Sequence, residues 1–227
     1  MKFLLTNDDG IKAPGLATLE QALSGLGEVT VVGPTEALSG CSHQVTSHHP
    51  LQVTQLEPAR YGVKGTPADC IRLGLLHFAP DADWVMAGVN DGGNLGVDVY
   101  MSGTVAAGRE AAFFGKRAIA FSQYRRNRDP FDWSTVVPMV QRMVEHLQQR
   151  PLTSGSFWNV NFPDLDHKSG SPEIVFCPID SSHLPVRYEI QNETFRYQGD
   201  YHQRARKPGT DVDVCFSGRI AVSELCH

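Results

Sequence analysis

The chain lacks several features that would place it quickly. No apolar stretch approaches the ~20 residues a membrane span requires, so a membrane protein is not expected. The opening apolar run stops at Leu5 and acids follow at once, so no secretory leader is expected either. Basic charge is not in excess. The formal net charge is −5, which leaves no electrostatic footprint for a nucleic-acid duplex. The cysteines number five, an odd count, are scattered, and form no C-x-x-C pair. Reduced thiols in a cytoplasmic protein are the expectation. There is no Gly-Lys-Ser/Thr phosphate loop and no G-x-G-x-x-G fingerprint, which argues against a nicotinamide dehydrogenase. Ser39, Ser102 and Ser122 lack the G-x-S-x-G elbow of an α/β-hydrolase. No repeat or low-complexity segment is present.

What is present is an ordinary globular composition over 227 residues, with 41% hydrophobic and 20% charged residues, long enough for one sizeable core. Strand-like and helix-like patterns alternate. Lys2-Phe3-Leu4-Leu5 reads as a buried strand. Pro14-Gly15 opens a helix carrying Leu16, Leu19 and Leu23 at helical spacing. Glu28 to Val32 reads as a strand, and Leu51 to Thr54 and Tyr61 to Val63 as two short ones. Thr66-Pro67-Ala68-Asp69 starts a second helix with a capping residue, a proline in its first turn and an acid beside its positive end. Asp83 to Gly88 is a further strand, Val105 to Phe114 a helix, and Arg117 to Ser122 a strand. Val136, Val140, Met143, Val144 and Leu147 mark a longer helix, and Phe157 to Phe162 a strand. This rhythm predicts an α/β fold, a Rossmann-like three-layer sandwich with a mostly parallel sheet. After Pro163 the pattern changes to short strand candidates, near Ile174, Tyr188 to Tyr197, Val212 to Phe216 and Arg219 to Val222, with no helix expected. The organisation predicted is one domain, with an α/β core over 1–163 and a β-rich hairpin extension over 164–227 suited to oligomer contact.

The chemistry-bearing residues fall where strands should end. Asp8 and Asp9 follow the first strand, and Ser39 lies in the loop after the second. Asn90 and Asn94 lie in the loop after Asp83 to Gly88, and Ser102, Gly103 and Thr104 stand at a helix start. In an open α/β sheet, ligands bind at the carboxyl ends of the strands, so these residues should meet in one crevice. Adjacent carboxylates repel and lose solvation unless a cation joins them. The oxygen donors suit Mg²⁺, Mn²⁺ or Ca²⁺ over zinc. The helix start supplies free N–H groups for an anion. A cation beside an oxyanion pocket suits phosphate ester hydrolysis.

Bland readings stand beside each of these. Asp-Asp-Gly also makes a solvated turn, Asn90 to Gly96 a tight loop, and Ser102 a mere cap. His43, His48 and His49 lack zinc spacing, but His43 follows Ser39 closely enough to be a candidate proton donor. The clusters Arg125-Arg126-Asn127-Arg128 and Arg204-Ala205-Arg206-Lys207 read as solvated faces, the second also able to attract a substrate's negative charge.

Taken in order, these residues resemble the SurE family of stationary-phase survival proteins, metal-dependent 5′/3′-nucleotidases. The resemblance runs through Asn7 to Gly10 with Ala13-Pro14-Gly15, Ser39-Gly40 with Thr46, and Gly65 to Cys70. It continues through Gly88-Val89-Asn90 with Asn94-Leu95-Gly96, Ser102 to Ala107, and Gly209-Thr210-Asp211. It implies one divalent metal, Mg²⁺ or Mn²⁺, on Asp8, Asp9, Ser39 and Asn90, and phosphate contacts from Asn94, Ser102, Gly103 and Thr104. Asp8, Asp9 and Asn94 would be catalytic. It also implies nucleoside monophosphates as substrates and a homodimer or homotetramer. Two departures stand out: Met101 where the family has Tyr, and an end at His227 where members run on. The alternative is a non-catalytic nucleotide-binding module using the same crevice.

Overall fold

A computed structural model describes residues 1–127, 129–164 and 171–226. Eleven strands and five α-helices follow one another as β1 (Lys2–Thr6), α1 (Pro14–Leu23), β2 (Glu28–Pro34), β3 (Val53–Glu57), β4 (Arg60–Val63), α2 (Pro67–Leu73), β5 (Trp84–Asp91), α3 (Gly103–Phe113), β6 (Arg117–Gln123), α4 (Val137–Gln148), β7 (Ser156–Phe162), β8 (Ile174–Phe176), β9 (Tyr188–Gln191), β10 (Thr194–Tyr197), α5 (Asp211–Phe216) and β11 (Ile220–Cys226). A nine-stranded sheet runs in the order β3-β4-β2-β1-β5-β6-β7-β11-β8. Its centre, from β4 to β7, is parallel. The chain order reverses on either side of β1, which leaves a crevice at the carboxyl ends of β1 and β5.

Period-two side-chain alternation sorts the core into two layers. Phe3 and Leu5 of β1 face α1 and α4, among Leu16, Leu19, Met139, Val140 and Met143. Leu4 of the same strand faces the opposite layer, with Ile71 of α2 and Val105 and Ala107 of α3. The three-layer sandwich is therefore as the sequence predicts. Helix α2 has the expected cap: Asp69 N–H donates to Thr66 Oγ1 at 3.2 Å, and Thr66 N–H to Asp69 Oδ2 at 2.9 Å.

The segment after Pro163 departs from expectation. Val212 to Phe216 is helix α5, not a strand. Its alternating Val212, Val214 and Phe216 mimic a strand, and a run this short cannot be assigned by periodicity. Asp211 and Asp213 occupy the first turn, where the helix dipole favours acids. Strands β8 and β11 join the main sheet, β11 pairing antiparallel with β7 and β8 parallel with β11. The β9–β10 hairpin forms a separate two-stranded sheet. No helix among the described residues is long and apolar enough to cross a membrane.

Candidate active site

Strand β1 ends in buried backbone, and Asp8 is the first carboxylate after it, 3% exposed. Three contacts fix it. Its carbonyl accepts from Leu38 N–H at 2.7 Å, which ties β1 to the loop after β2. The Thr104 hydroxyl donates to Asp8 Oδ1. Gly103, at the start of α3, packs so close that a Cβ there would lie 2.9 Å from Asp8 Cβ and 2.8 Å from Cys41 Sγ. Burial pushes the Asp8 carboxyl above its usual range, opposed by the Thr104 hydroxyl and by the backbone N–H groups at the start of α3.

Asp9 accepts from Asp91 N–H at 3.1 Å. Burial, and then repulsion from Asp8, raises its pKa to about 6. No cationic side chain among the described residues pairs with Asp8 or Asp9. Two adjacent acids raised by burial and left without a counter-charge, in a setting of neutral oxygens, are chemically matched to a hard divalent cation.

The Asn94 carboxamide donates to Ser122 Oγ at 2.8 Å. Its backbone is gripped from β7: Asn94 N–H donates to Asn161 Oδ1 at 2.8 Å, while Asn159 Nδ2 and Asn161 Nδ2 donate to Asn94 O at 2.9 and 3.1 Å. Asn90 closes its own turn, Nδ2 donating to Gly92 O at 2.8 Å. Ser102 caps α3, its hydroxyl accepting from Val105 N–H at 3.1 Å. Thr104 is committed to Asp8 through its hydroxyl.

A cleft of about 660 Å³ opens between these loops and the C-terminal segment. Asp9, Ser39 and Asp91 line one part of it, Tyr124, Arg126 and His202 another. Ser39 is exposed. Asp91 is held by Arg125, whose Nη1 donates to both carboxylate oxygens at 2.9 Å.

His43 is elsewhere. Its Nε2 bonds Glu110 Oε2 at 2.6 Å, its Nδ1 faces Arg109 Nη1 at 3.5 Å and its ring stacks on Phe113, so both ring nitrogens are occupied away from the cleft lining and the geometry does not support the proton-donor role the sequence suggested. Arg204 is not a solvated residue: it is 3% exposed, with Nη1 donating to Asp98 Oδ2 at 2.7 Å. Arg128 of the other basic cluster lies outside the described residues. Sequence reading missed Asn159, Asn161, Ser122, Tyr124 and His202. The asparagines had a readable signal, since polar residues alternating within an otherwise apolar strand need partners when that strand is central.

A cleft lined by Asp9, Ser39 and Asp91 on one side and by Arg125, Arg126 and His202 on the other, at the carboxyl edge of a doubly wound sheet, defines a Rossmann-like α/β protein, the class in which ligands are expected at the topological switch point. The chain belongs to the SurE family: the model described as "Survival protein SurE" matches residues 3–183. A relative in Nostoc sp. is 47% identical over 225 residues, covering 99% of each chain. The 5′-nucleotidase SurE of Idiomarina loihiensis is 37% identical over 230 residues, covering 99% of this chain and 91% of its own. The crystal structure of the SurE protein from Aquifex aeolicus superposes with a TM-score of 0.88 at 29% identity, over 100% of this chain and 93% of its own.

Proposed function

We propose that this chain is a metal-dependent phosphomonoesterase that hydrolyses nucleoside monophosphates to nucleoside and phosphate. The observation that carries the reading is the Asp8 and Asp9 pair, Asp8 buried and Asp9 half-buried, without a cationic partner beside the start of α3. The 5′-nucleotidase name of the Idiomarina relative supports it.

Asp8, Asp9, Ser39 and Asn90 would hold one Mg²⁺ or Mn²⁺. Such an ion supplies Lewis-acid polarisation of the phosphoryl group and a lowered pKa for water. The protein's own groups do the rest. Thr104 fixes the Asp8 carboxylate in one orientation. Asp9, at the cleft wall, orients the attacking water. Asn94, aimed by Ser122, and the start of α3 stabilise charge on the phosphoryl oxygens. A cleft of about 660 Å³ lies within the range of small-molecule sites and accepts a nucleotide. Nothing in the geometry favours the non-catalytic alternative.

The test is phosphate release from a panel of nucleoside monophosphates with Mn²⁺, with Mg²⁺ and with chelator, beside Asp9→Asn. Metal-dependent release that the variant abolishes is expected. Release indifferent to chelator and to the substitution would overturn the reading.

The β9–β10 hairpin exposes Tyr188, Ile190, Phe195 and Tyr197, and Val186 just before it is exposed as well. A lone hairpin is marginal in water, and this one is covered by a second copy in the proposed homodimer or homotetramer. Five free cysteines are in keeping with a cytoplasmic protein.

A further inference from the structure

Phosphate monoester cleavage leaves a nucleoside oxygen that is a poor leaving group until it gains a proton. His43 does not line the cleft, and its ring nitrogens face Glu110 and Arg109, so a donor is sought elsewhere. The cleft offers few. Asp91 is paired with Arg125, and Asp9 belongs to the acidic pair. The Tyr201 hydroxyl already donates to Asp98 Oδ2 at 2.7 Å.

His202 remains. It lines the same cleft as Asp9 and Ser39. It sits in a short turn, Tyr201–Gln203, which Asp200 caps by accepting from His202 N–H at 3.0 Å. Its Nδ1 meets the Tyr124 hydroxyl at 2.9 Å, and Tyr124 is itself fixed by stacking on Phe216 at 4.4 Å and by donating its N–H to Phe162 O at 3.0 Å. Nε2 has no protein partner among the described residues. One ring nitrogen is thus oriented by a buried phenol and the other is left for a ligand. That is the arrangement a general acid needs.

We propose that His202, oriented by Tyr124, is the general acid for the leaving nucleoside oxygen. The inference rests on the phosphatase reading above. In the protonated ring, Nδ1–H donates to the Tyr124 oxygen and Nε2–H faces the leaving oxygen. The bond from phosphorus to that oxygen breaks with its electron pair on oxygen. The oxygen takes the Nε2 proton and departs as a hydroxyl. A water oxygen bonds to phosphorus and sheds one proton to solvent, and the neutral imidazole regains one from solvent. The titratable and charged groups around His202 are Tyr124, Arg125 and Arg126 after β6, and Asp164 behind Tyr124. Asp9 and Asp91 lie across the cleft, and Asp200 and Tyr201 on its own turn.

The experiment compares wild type, His202→Gln and Tyr124→Phe on adenosine monophosphate and on nitrophenyl phosphate, whose phenolate leaves without protonation. His202→Gln is expected to lose on the order of a hundredfold in kcat on the nucleotide, a loss roughly tenfold or more beyond that on the aryl ester. KM should stay near wild type. Tyr124→Phe should show the same pattern more weakly. Turnover of the aryl ester reports that each variant is folded. Equal losses on both substrates, or a raised KM at constant kcat, would make His202 a wall residue and overturn the proposal. A wild type inert on both substrates would sink the phosphatase reading itself, and this inference with it.

Discussion

Arg204 Nη1 donates to Asp98 Oδ2 at 2.7 Å, and Tyr201 OH shares that oxygen at the same distance. Arg204 Nη2 also reaches Leu95 O at 3.3 Å. Burial works against the guanidinium's charge, but Asp98 and Tyr201 outweigh it and hold the Arg204 pKa up. The C-terminal segment is thereby bolted to the loop that presents Asn94. Arg204→Ala strands the Asp98 carboxylate. It should cost about 3 kcal/mol, or roughly 10 °C in Tm, because a buried ion without its partner is strongly unfavourable. Arg204→Lys should fall between, since an ammonium cannot span both acceptors. Calorimetry checks both. An alanine variant melting with wild type would show the pair to be dispensable.

Asn161 makes two hydrogen bonds to the Asn94 backbone from inside the core. Asn161→Ala leaves Asn94 N–H without that acceptor, at about 1–3 kcal/mol. Nucleotide turnover should drop while the Mn²⁺-induced rise in Tm persists, because the acidic pair is untouched. A turnover equal to wild type would show that the Asn94 loop holds its shape unaided.

Gly103 touches Asp8 and Cys41. A methyl group there would sit 2.8 Å from Cys41 Sγ and 2.9 Å from Asp8 Cβ, closer than side-chain carbons are found. Gly103→Ala should push Asp8 from its place and abolish metal-dependent phosphate release in a folded protein. Ala substituted without loss of activity would mean that α3 and Asp8 need not be in contact.

The raised pKa of Asp9 sets a pH dependence. Its folded value is about 6 against 3.8 in an unfolded chain, so the folded protein holds more protons between them. Stability of the metal-free protein from this group therefore falls as pH rises from 3.8 to about 6, and the penalty is complete above. A cation must displace that proton below about 6. The thermal shift produced by Mn²⁺ should be large at neutral pH and shrink steadily below 6. A shift independent of pH across that window would remove Asp9 from the metal ligands.

Ile190 and Phe195 face each other across the β9–β10 hairpin and are both exposed. Replacing both with Asp should reduce the sedimenting mass to that of one chain if the hairpin is the contact between copies. An unchanged mass would place the contact elsewhere.

The amino-terminal half was legible because its signals are local. Each strand ends at a polar motif, and Pro14, Thr66 and Ser102 mark helix starts by the chemistry of free N–H groups. Residues that act across long separations were not legible. Arg204 sits in a basic run that reads as solvated, and only the fold shows Asp98 waiting for it. His202 has no neighbours in sequence that announce a site. His43 does, through Ser39, and the fold sends it to Glu110 instead. Helix α5 was hidden because its apolar alternation suits either element, and only packing over Leu95, Tyr124 and Ala221 decides.

Gly96 N–H donates to Asp211 Oδ2 at 2.7 Å, across a separation of 115 residues, and Arg204 meets Asp98 across 106. Loop closure over such distances opposes early formation of these contacts. The Asn94 loop is thus completed by residues of α5 and of the Arg204 segment, which lie far along the chain. A chain still emerging from the ribosome carries Asp8 and Asp9 but not the finished pocket, so the acidic pair is laid down long before it can act.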